Sequence, residues 1–171
     1  MKGMRKISRG SGFHGALSYV FDRENGREKG RLIGGNMSCV TPDSLAAEFG
    51  ISRRLRPSIK KPVWHNSLRL PAGEKLNDSQ WNQIADDYMQ QMGFDDFHPR
   101  VYVLHDDKEG QHIHIVASRV DLSGALYLGQ NENLKSTKII EELEKKHALI
   151  VTKGVDRTGA NPIASMPATK K

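Results

Sequence analysis

Residues 100–120 read RVYVLHDDKEGQHIHIVASRV, and in this stretch two apolar runs flank six polar residues. Both runs, 100–105 and 112–120, have the composition of β-strands. The connection at 106–111 is short, so it predicts a hairpin and therefore antiparallel neighbours. Strand and helix patterns alternate through the rest of the chain. Together they predict an α+β fold, with a single antiparallel-rich central sheet and helices packed on it.

The flanking elements carry recognisable start and stop signals. Thr41 is a good N-cap, and Pro42 suits the first turn of the helix that follows. A second helix begins after Asn77 and is stopped by Gly93. The predicted strands are 4–8 and 62–70; the predicted helices are 12–23, 41–55, 77–93 and 133–147. The apolar side of the last helix is predicted to consist of Leu134, Ile139, Ile140 and Leu143.

Composition favours one domain with an anionic partner. The 171 residues suit a single core, and the net charge of +6 with a pI near 9.5 is typical of proteins that bind nucleic acid. The lone Cys39 excludes an internal disulfide and a Cys-rich metal site. Since there is no apolar stretch of signal or membrane-spanning length, a soluble, cytoplasmic protein is expected. We expect the domain to cover 1–153, with the polar residues 154–171 forming a mobile tail or the start of a linker to a further C-terminal region.

Three histidines predict a divalent-metal site on the hairpin. Side chains alternate along a strand, so His112 and His114 project from one face about 7 Å apart. The hairpin brings His105 back beside them. Three imidazoles leave positions open for water or a substrate oxygen, as catalytic metal sites do. Zn, Mn, Co or Ni would suit these ligands, and Mg would too if the substrate supplied oxygens.

Other residues near this site leave alternatives open. His65 lies on the strand at 62–70, where it is a fourth ligand, an outer partner of the ligands or a surface residue. Asp106 and Asp107 are interpreted as turn residues, although Asp107 could orient His105 or accept a proton. Trp64 is expected to be buried on the face opposite His65. The histidines interpreted as surface residues are His14, His98 and His147.

These residues resemble the HUH endonucleases, whose signature is a histidine, a hydrophobic residue and a histidine. The wider pattern resembles the mobilisation relaxases of the MobA/VirD2 type. Residues 105–120 are similar throughout to the third motif of that family, and residues 64–74 resemble its second motif. Residues 15–19 lie where the family places its nucleophilic tyrosine. The likeness extends from about residue 2 to residue 153.

The resemblance implies a metal-dependent DNA strand transferase. Such enzymes nick one strand at a plasmid transfer origin and remain attached to its 5′ end through a phosphotyrosine bond. Tyr19 would be the nucleophile, and the three histidines would hold a metal that polarises the scissile phosphate. Asp107 or a ligand-linked water would be the base. In relatives a carboxylate can stand near the metal where this chain has His65.

The resemblance also implies partners: single-stranded and duplex transfer-origin DNA, relaxosome accessory proteins and the coupling protein of a type IV secretion system. The predicted phosphate contacts lead into the strand that carries His65. They are Arg53, Arg54, Arg56, Lys60 and Lys61, which we call the basic segment. The N-terminal cations consistent with the same DNA track are Lys2, Arg5, Lys6 and Arg9.

Two other functions are compatible with these residues. A rolling-circle replication initiator of the HUH group would share the chemistry, but initiators generally carry the tyrosine after the histidines. A DNA-binding accessory protein with a structural metal would lack the chemistry altogether. Tyr88, Tyr102 and Tyr127 are rival nucleophiles, although Tyr88 on an apolar helical stripe and Tyr102 on a strand are better explained as core residues.

Overall fold

The computed structural model describes residues 1–4, 6–24 and 27–152, with only the backbone described at 23, 24, 27 and 28. Predictions for Arg5 and for the tail at 154–171 therefore lie outside the described residues. The strands are β1 (Lys2–Gly3), β2 (Ser8–Gly10), β3 (Arg23–Glu24), β4 (Arg27–Glu28), β5 (Arg31–Gly35), β6 (Val63–Arg69), β7 (Arg100–Asp107) and β8 (Gly110–Ser118). The helices are α1 (Phe13–Phe21), α2 (Pro42–Arg53), α3 (Asp78–Met92) and α4 (Glu132–Lys146).

One antiparallel sheet organises the chain, as predicted. Its strand order is β1-β6-β8-β7-β5, and β2 lies beside β1 along the same edge of β6. Every described pairing in this sheet is antiparallel. The strands β3 and β4 form a separate two-stranded ribbon. Because β7 and β8 are central, the side chains near their shared turn are flanked by β5 on one side and β6 on the other.

Strand alternation divides the core into two layers. Val101, Val103 and Val116 face α1 and α2, whose buried residues include Leu17 and Phe49. The opposite face packs against α3 and α4 through Trp64, Tyr102, Ile113, Ile115 and Ala117. By the same alternation, His105, His112 and His114 lie on the face covered by α1 and α2. Trp64 is buried on the other face, as predicted.

The predicted helix boundaries rest on real caps. The side chain of Thr41 accepts a hydrogen bond from the backbone N–H of Ser44, and Pro42 is the first helical residue. At the start of α3, the side chain of Asn77 accepts a hydrogen bond from the backbone N–H of Gln80, and the side chain of Gln80 accepts one from the backbone N–H of Asn77. Gly93 ends α3 at φ 108°, in the left-handed region that glycine adopts without strain. None of the described helices is both long enough and apolar enough to cross a membrane.

Several local predictions need correction. The strand predicted at 4–8 is two short strands at Lys2–Gly3 and Ser8–Gly10. Pairing in the β7–β8 hairpin continues to Asp107 opposite Gly110, so Asp106 and Asp107 belong to a strand and not to the turn. Backbone pairing tolerates these acidic side chains because both are exposed to solvent.

The apolar side of α4 also differs from the prediction. Leu134 is 59% exposed, whereas Ile139, Ile140 and Leu143 are buried. Leu134 lies five residues before Ile139 and six before Ile140, and at these spacings its side chain points away from their face of the helix. Ser136 takes the buried position, where its Oγ lies 2.6 Å from the hydroxyl of Tyr88.

Candidate active site

The hairpin register brings three histidines together. His105 pairs directly with His112 across the two strands, and His114 lies two residues further along β8. One ring nitrogen from each histidine lies within 4.8 Å of the others. The ring centroids are 5.1 Å apart for His105–His112 and for His112–His114, and 4.9 Å apart for His105–His114. We call these residues the three-histidine cluster.

Each ring of the cluster is oriented through one nitrogen. His105 Nε2 donates to the carbonyl oxygen of Val20 at 2.5 Å, and His112 Nδ1 donates to that of Gly110 at 3.2 Å. His114 Nδ1 lies 2.9 Å from His65 Nε2. Metal-ligating imidazoles typically have their second nitrogen held in this way by a carbonyl or another polar group, which fixes the tautomer and the ring orientation.

The surroundings of His65, His112 and His114 favour neutral imidazoles. Burial, with smaller contributions from the neighbouring histidines and Arg69, lowers the pKa of His114 to about 3. Burial also lowers the pKa of His65 to about 4 and that of His112 below its usual range. A neutral imidazole keeps the lone pair that a metal requires. This donor set therefore fits a divalent metal of the Zn, Mn, Co or Ni type.

Tyr19 lies over one side of this cluster. It belongs to α1, whose buried side chains are Phe13, Leu17, Val20 and Phe21. Tyr19 is on the opposite side of the helix and is 68% exposed, whereas Tyr88, Tyr102 and Tyr127 are buried. Its ring contacts those of His65 and His114 edge-on, with centroid distances of 6.0 and 6.1 Å. Of the four tyrosines, Tyr19 is thus the one that combines exposure with contact to the histidines.

A tight contact holds α1 against the sheet at this point. The Val20 carbonyl that accepts from His105 lies one residue after Tyr19. Gly30 packs beneath it, and a Cβ atom there would lie 2.5 Å from the Val20 oxygen and 2.9 Å from His105 Nε2. A side chain at position 30 would therefore push α1, and Tyr19 with it, away from His105.

His65 connects the cluster to the edge of the sheet. It lies on β6, where Ser67 pairs with His114, and its Nδ1 is 3.5 Å from Ser8 Oγ on β2. Its Nε2 contacts His114, but His65 is not one of the three residues whose nitrogens converge. Of the roles that the sequence left open, this geometry favours an outer partner that orients His114.

Arg69 is a neighbour of the cluster that the sequence did not single out. It pairs with His112 across β6 and β8, and its NH2 lies 3.4 Å from His112 Nε2. Its NH1 donates to the Gly110 carbonyl at 3.1 Å and to Asp107 Oδ1 at 3.4 Å. Only the register of the two strands reveals this contact, since Arg69 and His112 are far apart in the chain.

Asp107 lies beside His112 and not beside His105. Its Oδ2 is 3.9 Å from His112 Nδ1, while its Oδ1 accepts from the Glu109 N–H at 3.0 Å. Burial raises the pKa of Asp107, but the Glu109 hydrogen bond and the nearby His112 and Arg69 outweigh it and lower the pKa below its usual range. Asp107 is therefore an anion at neutral pH, placed to balance the charge of Arg69.

The cations of the basic segment fall into two groups: those that donate to a backbone carbonyl and those that are exposed to solvent. Arg53 donates to the Arg56 carbonyl at 2.9 Å, and Arg56 donates to the Gly124 carbonyl at 3.0 Å. Arg54, Lys60 and Lys61 are exposed. Among the N-terminal cations, Lys2 and Lys6 are exposed, whereas Arg9 pairs with Glu132 at 3.2 Å. A groove of about 360 Å³ is lined by Arg9, Tyr19 and His65 among others.

The remaining histidines differ in burial. His14 is exposed and pairs with Asp43 at 3.0 Å, as expected for a surface residue. His147 is partly buried, beside Asp87 at 3.7 Å. The prediction that His98 lies on the surface is wrong, because its ring is buried and hydrogen-bonds the Ser118 carbonyl. The short loop around His98 has no periodicity from which burial could be read.

Comparison with known proteins identifies the family. The family model for the nuclease domain of MobA/VirD2-like relaxases matches residues 19–149, a range that includes Tyr19 and the three-histidine cluster. The chain belongs to this relaxase family. Membership of this family implies a DNA-binding, DNA-nicking enzyme, and the α+β fold is the one expected of the domain.

One curated protein also shows a short likeness. A stretch of 72 residues is 32% identical to Protein STU1 of Coccidioides immitis (strain RS). The stretch covers 42% of this chain but 6% of that protein. This likeness concerns a small part of a much longer protein, so the family match to the relaxases carries the assignment.

Proposed function

We propose that this chain is the relaxase domain of a mobilisation system. It nicks one strand of plasmid transfer-origin DNA, with Tyr19 as the nucleophile, and stays attached to the 5′ end until the strand is rejoined. The observation that carries this proposal is the position of Tyr19, exposed to solvent and in ring contact with His114 of the three-histidine cluster. A nucleophile and a phosphate-activating site are thereby adjacent.

The proposed reaction is a transesterification that balances without a co-reactant. The Tyr19 hydroxyl oxygen forms a bond to the scissile phosphorus, and the bond from phosphorus to the 3′ oxygen breaks. The proton lost by the tyrosine is delivered through solvent to the leaving 3′ oxygen, which becomes a hydroxyl. Rejoining is the reverse step, in which a 3′ hydroxyl attacks the phosphotyrosine and releases Tyr19.

The three-histidine cluster would hold the divalent ion of this reaction. When bound, such an ion supplies positive charge that polarises the phosphate and offsets the charge developing on its oxygens. The surrounding residues keep the ligand rings in place: the Val20 and Gly110 carbonyls hold His105 and His112, and His65 holds His114. We propose that Asp107 holds the side chains of Arg69 and His112 in place. The proton of Tyr19 is then accepted by solvent and not by Asp107.

Arg69 is proposed to donate to the scissile phosphate, because its guanidinium lies at the edge of the cluster and remains partly exposed. Replacing Arg69 by Gln should lower the single-turnover nicking rate about 10- to 100-fold, in line with the loss of one oxyanion donor at a half-solvated site. Metal affinity should not fall, because the change removes a cation that lies 3.4 Å from His112 Nε2. Arg31→Gln, which removes an exposed arginine that pairs with Asp78, is the matched control and should nick normally. Equal rates for the two variants would remove Arg69 from the mechanism.

The basic segment is proposed to contact DNA phosphates through its exposed members. Replacing Arg54, Lys60 and Lys61 together by Ala should weaken binding of a single-stranded oligonucleotide and reduce the slope of log affinity against log salt by about 2, since each phosphate contact contributes about 0.7. Lys138→Ala with Lys145→Ala removes exposed cations from α4 in the other helical layer, and it serves as the control. An unchanged slope in the triple variant would place the DNA elsewhere.

The remaining expectations follow from the proposed reaction. The DNA partners would be single-stranded and duplex transfer-origin DNA, and the groove beside Tyr19 is within the size range of small-ligand sites, large enough for part of a nucleotide. Relaxosome accessory proteins and a type IV secretion coupling protein would act with the domain in the cytoplasm. The metal would be Zn, Mn, Co or Ni, or Mg with substrate oxygens completing its coordination.

A nicking assay tests the proposal. The substrate is a supercoiled plasmid carrying the transfer-origin region taken from the DNA beside the gene, and the control plasmid lacks that region. We expect open circles, with protein bound to the 5′ end, only with the origin plasmid and an added divalent metal. Nicking at a replication origin instead would favour a rolling-circle initiator. Binding without nicking under every metal tried would favour a non-catalytic accessory protein.

A further inference from the structure

A second group of metal-ligating side chains lies at the opposite end of the β7–β8 hairpin. Asp95, His98 and Asp121 each offer one ligand atom, and these atoms lie within 4.8 Å of one another. His98 precedes β7 and Asp121 follows β8, so the group sits at the open end of the hairpin. The four-residue step from His114 to Ser118 alone spans about 13 Å along the strand. This group is therefore separate from the three-histidine cluster.

His98 presents an unused ring nitrogen to this group. The residue is only 3% exposed, and its Nδ1 donates to the Ser118 carbonyl at 2.9 Å. In a neutral ring that tautomer leaves a lone pair on Nε2. Nε2 makes no hydrogen bond within the described part of the chain, and Asp95 Oδ2 lies 4.0 Å away. That separation is too long for a hydrogen bond, and since ligand atoms about 2 Å from a tetrahedral ion lie about 3.3 Å apart, a small movement of the exposed Asp95 side chain would bring both atoms to one cation.

Asp121 supplies a buried carboxylate on the other side. It is 2% exposed, and its Oδ1 accepts from the N–H and hydroxyl of Ser123 at 2.8 and 2.7 Å and from the Ala125 N–H at 2.9 Å. Oδ2 receives none of these donors, and no Lys or Arg pairs with Asp121 among the described residues. Burial raises the pKa of Asp121, but the hydrogen bonds from Ser123 and Ala125, together with one from the neighbouring Asp95 carboxyl, outweigh it and lower the pKa. A bound cation would offset the negative charge of two carboxyl groups placed this close together.

We propose that Asp95, His98 and Asp121 bind a second divalent cation, which has a structural role. One imidazole nitrogen with two carboxylate oxygens is a donor set suited to Zn or Mn, and water would complete the coordination. The cation joins the loop before β7 to the loop after β8. These loops already meet where the Leu122 N–H donates to the Phe97 carbonyl at 3.0 Å.

The second site would also stabilise part of the basic segment. The loop that contains Asp121 carries the Gly124 carbonyl, which accepts from Arg56 NH1 at 3.0 Å. Fixing this loop holds Arg56, and through it the Arg53 side chain that donates to the Arg56 carbonyl. Loss of the cation should therefore loosen the end of α2 without touching the metal ligands of the nicking site.

Zinc stoichiometry tests the proposal with the full chain. The variant His105→Gln/His112→Gln/His114→Gln removes the first site and should still bind about one zinc ion per chain after dialysis, as measured by mass spectrometry of the metal. Zinc should raise its Tm, and EDTA should reverse the rise. Adding Asp95→Asn, a change at a half-exposed residue that spares the core, should abolish both effects. His14→Gln, which alters the exposed pair with Asp43, is the control and should leave the stoichiometry unchanged.

Two results would overturn the second site. One is the absence of zinc from a folded triple variant, which would show that Asp95, His98 and Asp121 do not bind the ion. The other is a zinc content that Asp95→Asn does not alter. If the triple variant fails to fold, the same comparison in the wild-type background decides: two zinc ions are expected in the wild type and one in Asp95→Asn. Neither outcome depends on whether the chain nicks DNA.

Discussion

Tyr19→Phe should abolish nicking of a supercoiled origin plasmid, with a rate at least about 10⁴-fold below wild type. The substitution removes the oxygen that we propose bonds to phosphorus, and removal of a covalent nucleophile is among the costliest changes an enzyme can suffer. Folding should be unaffected because the ring is 68% exposed and its packing is retained. Open-circle formation in single-turnover gels measures the effect.

The same variant separates chemistry from binding. Metal affinity and binding of single-stranded DNA should remain near wild type, since the donors of the proposed metal site are the imidazoles of His105, His112 and His114. Tyr102→Phe is the matched control: it removes a buried hydroxyl that donates to Asp86, which costs about 1 kcal/mol of stability but leaves nicking intact. Persistent nicking by Tyr19→Phe would show that another group attacks the phosphate.

Loss of the metal ligands should have the next largest effect. His112→Gln and His114→Gln should each weaken metal binding and lower the nicking rate by about 10²- to 10⁴-fold, because several kcal/mol of transition-state charge stabilisation depend on the ion. EDTA should reduce the wild type to a comparable level, and an added divalent metal should restore only the wild type. Calorimetric titration together with the nicking assay measures both quantities.

Substitutions at His65 and His14 compare the effect on metal affinity of a histidine that contacts the proposed metal site with that of a surface histidine. His65→Gln removes the partner of His114 Nδ1 and should cost about 10- to 100-fold in metal affinity, the usual effect of losing an outer-sphere partner. His14→Gln changes an exposed histidine and should have no effect. Nicking that survives both EDTA and His114→Gln undiminished would refute the role of the metal.

The hairpin and its histidines could be predicted because they depend on local rules. Strand alternation places His112 and His114 on one face, and a short connection returns His105 to them. The prediction that helices cover the sheet follows equally from apolar spacing. Even here the exact turn was misjudged, since backbone pairing extends through the exposed Asp106 and Asp107.

The rest of the site depends on contacts between distant segments. The register of β6 against β8 places Arg69 opposite His112 and brings His65 to His114, and no local pattern fixes that register. The approach of Tyr19 requires α1 to dock on the same face of the sheet, which is settled by apolar packing and the Val20 carbonyl. Burial of His98 likewise follows from two loops meeting, and neither loop is periodic.

The most direct test of the account is the position of the covalent adduct. The wild-type chain would be incubated with single-stranded origin DNA and a divalent metal, digested with nuclease and protease, and analysed by peptide mass spectrometry. The account predicts a 5′-phosphotyrosyl adduct on the peptide that contains Tyr19. An adduct on Tyr88, Tyr102 or Tyr127, or nicked DNA with no covalent protein, would contradict it.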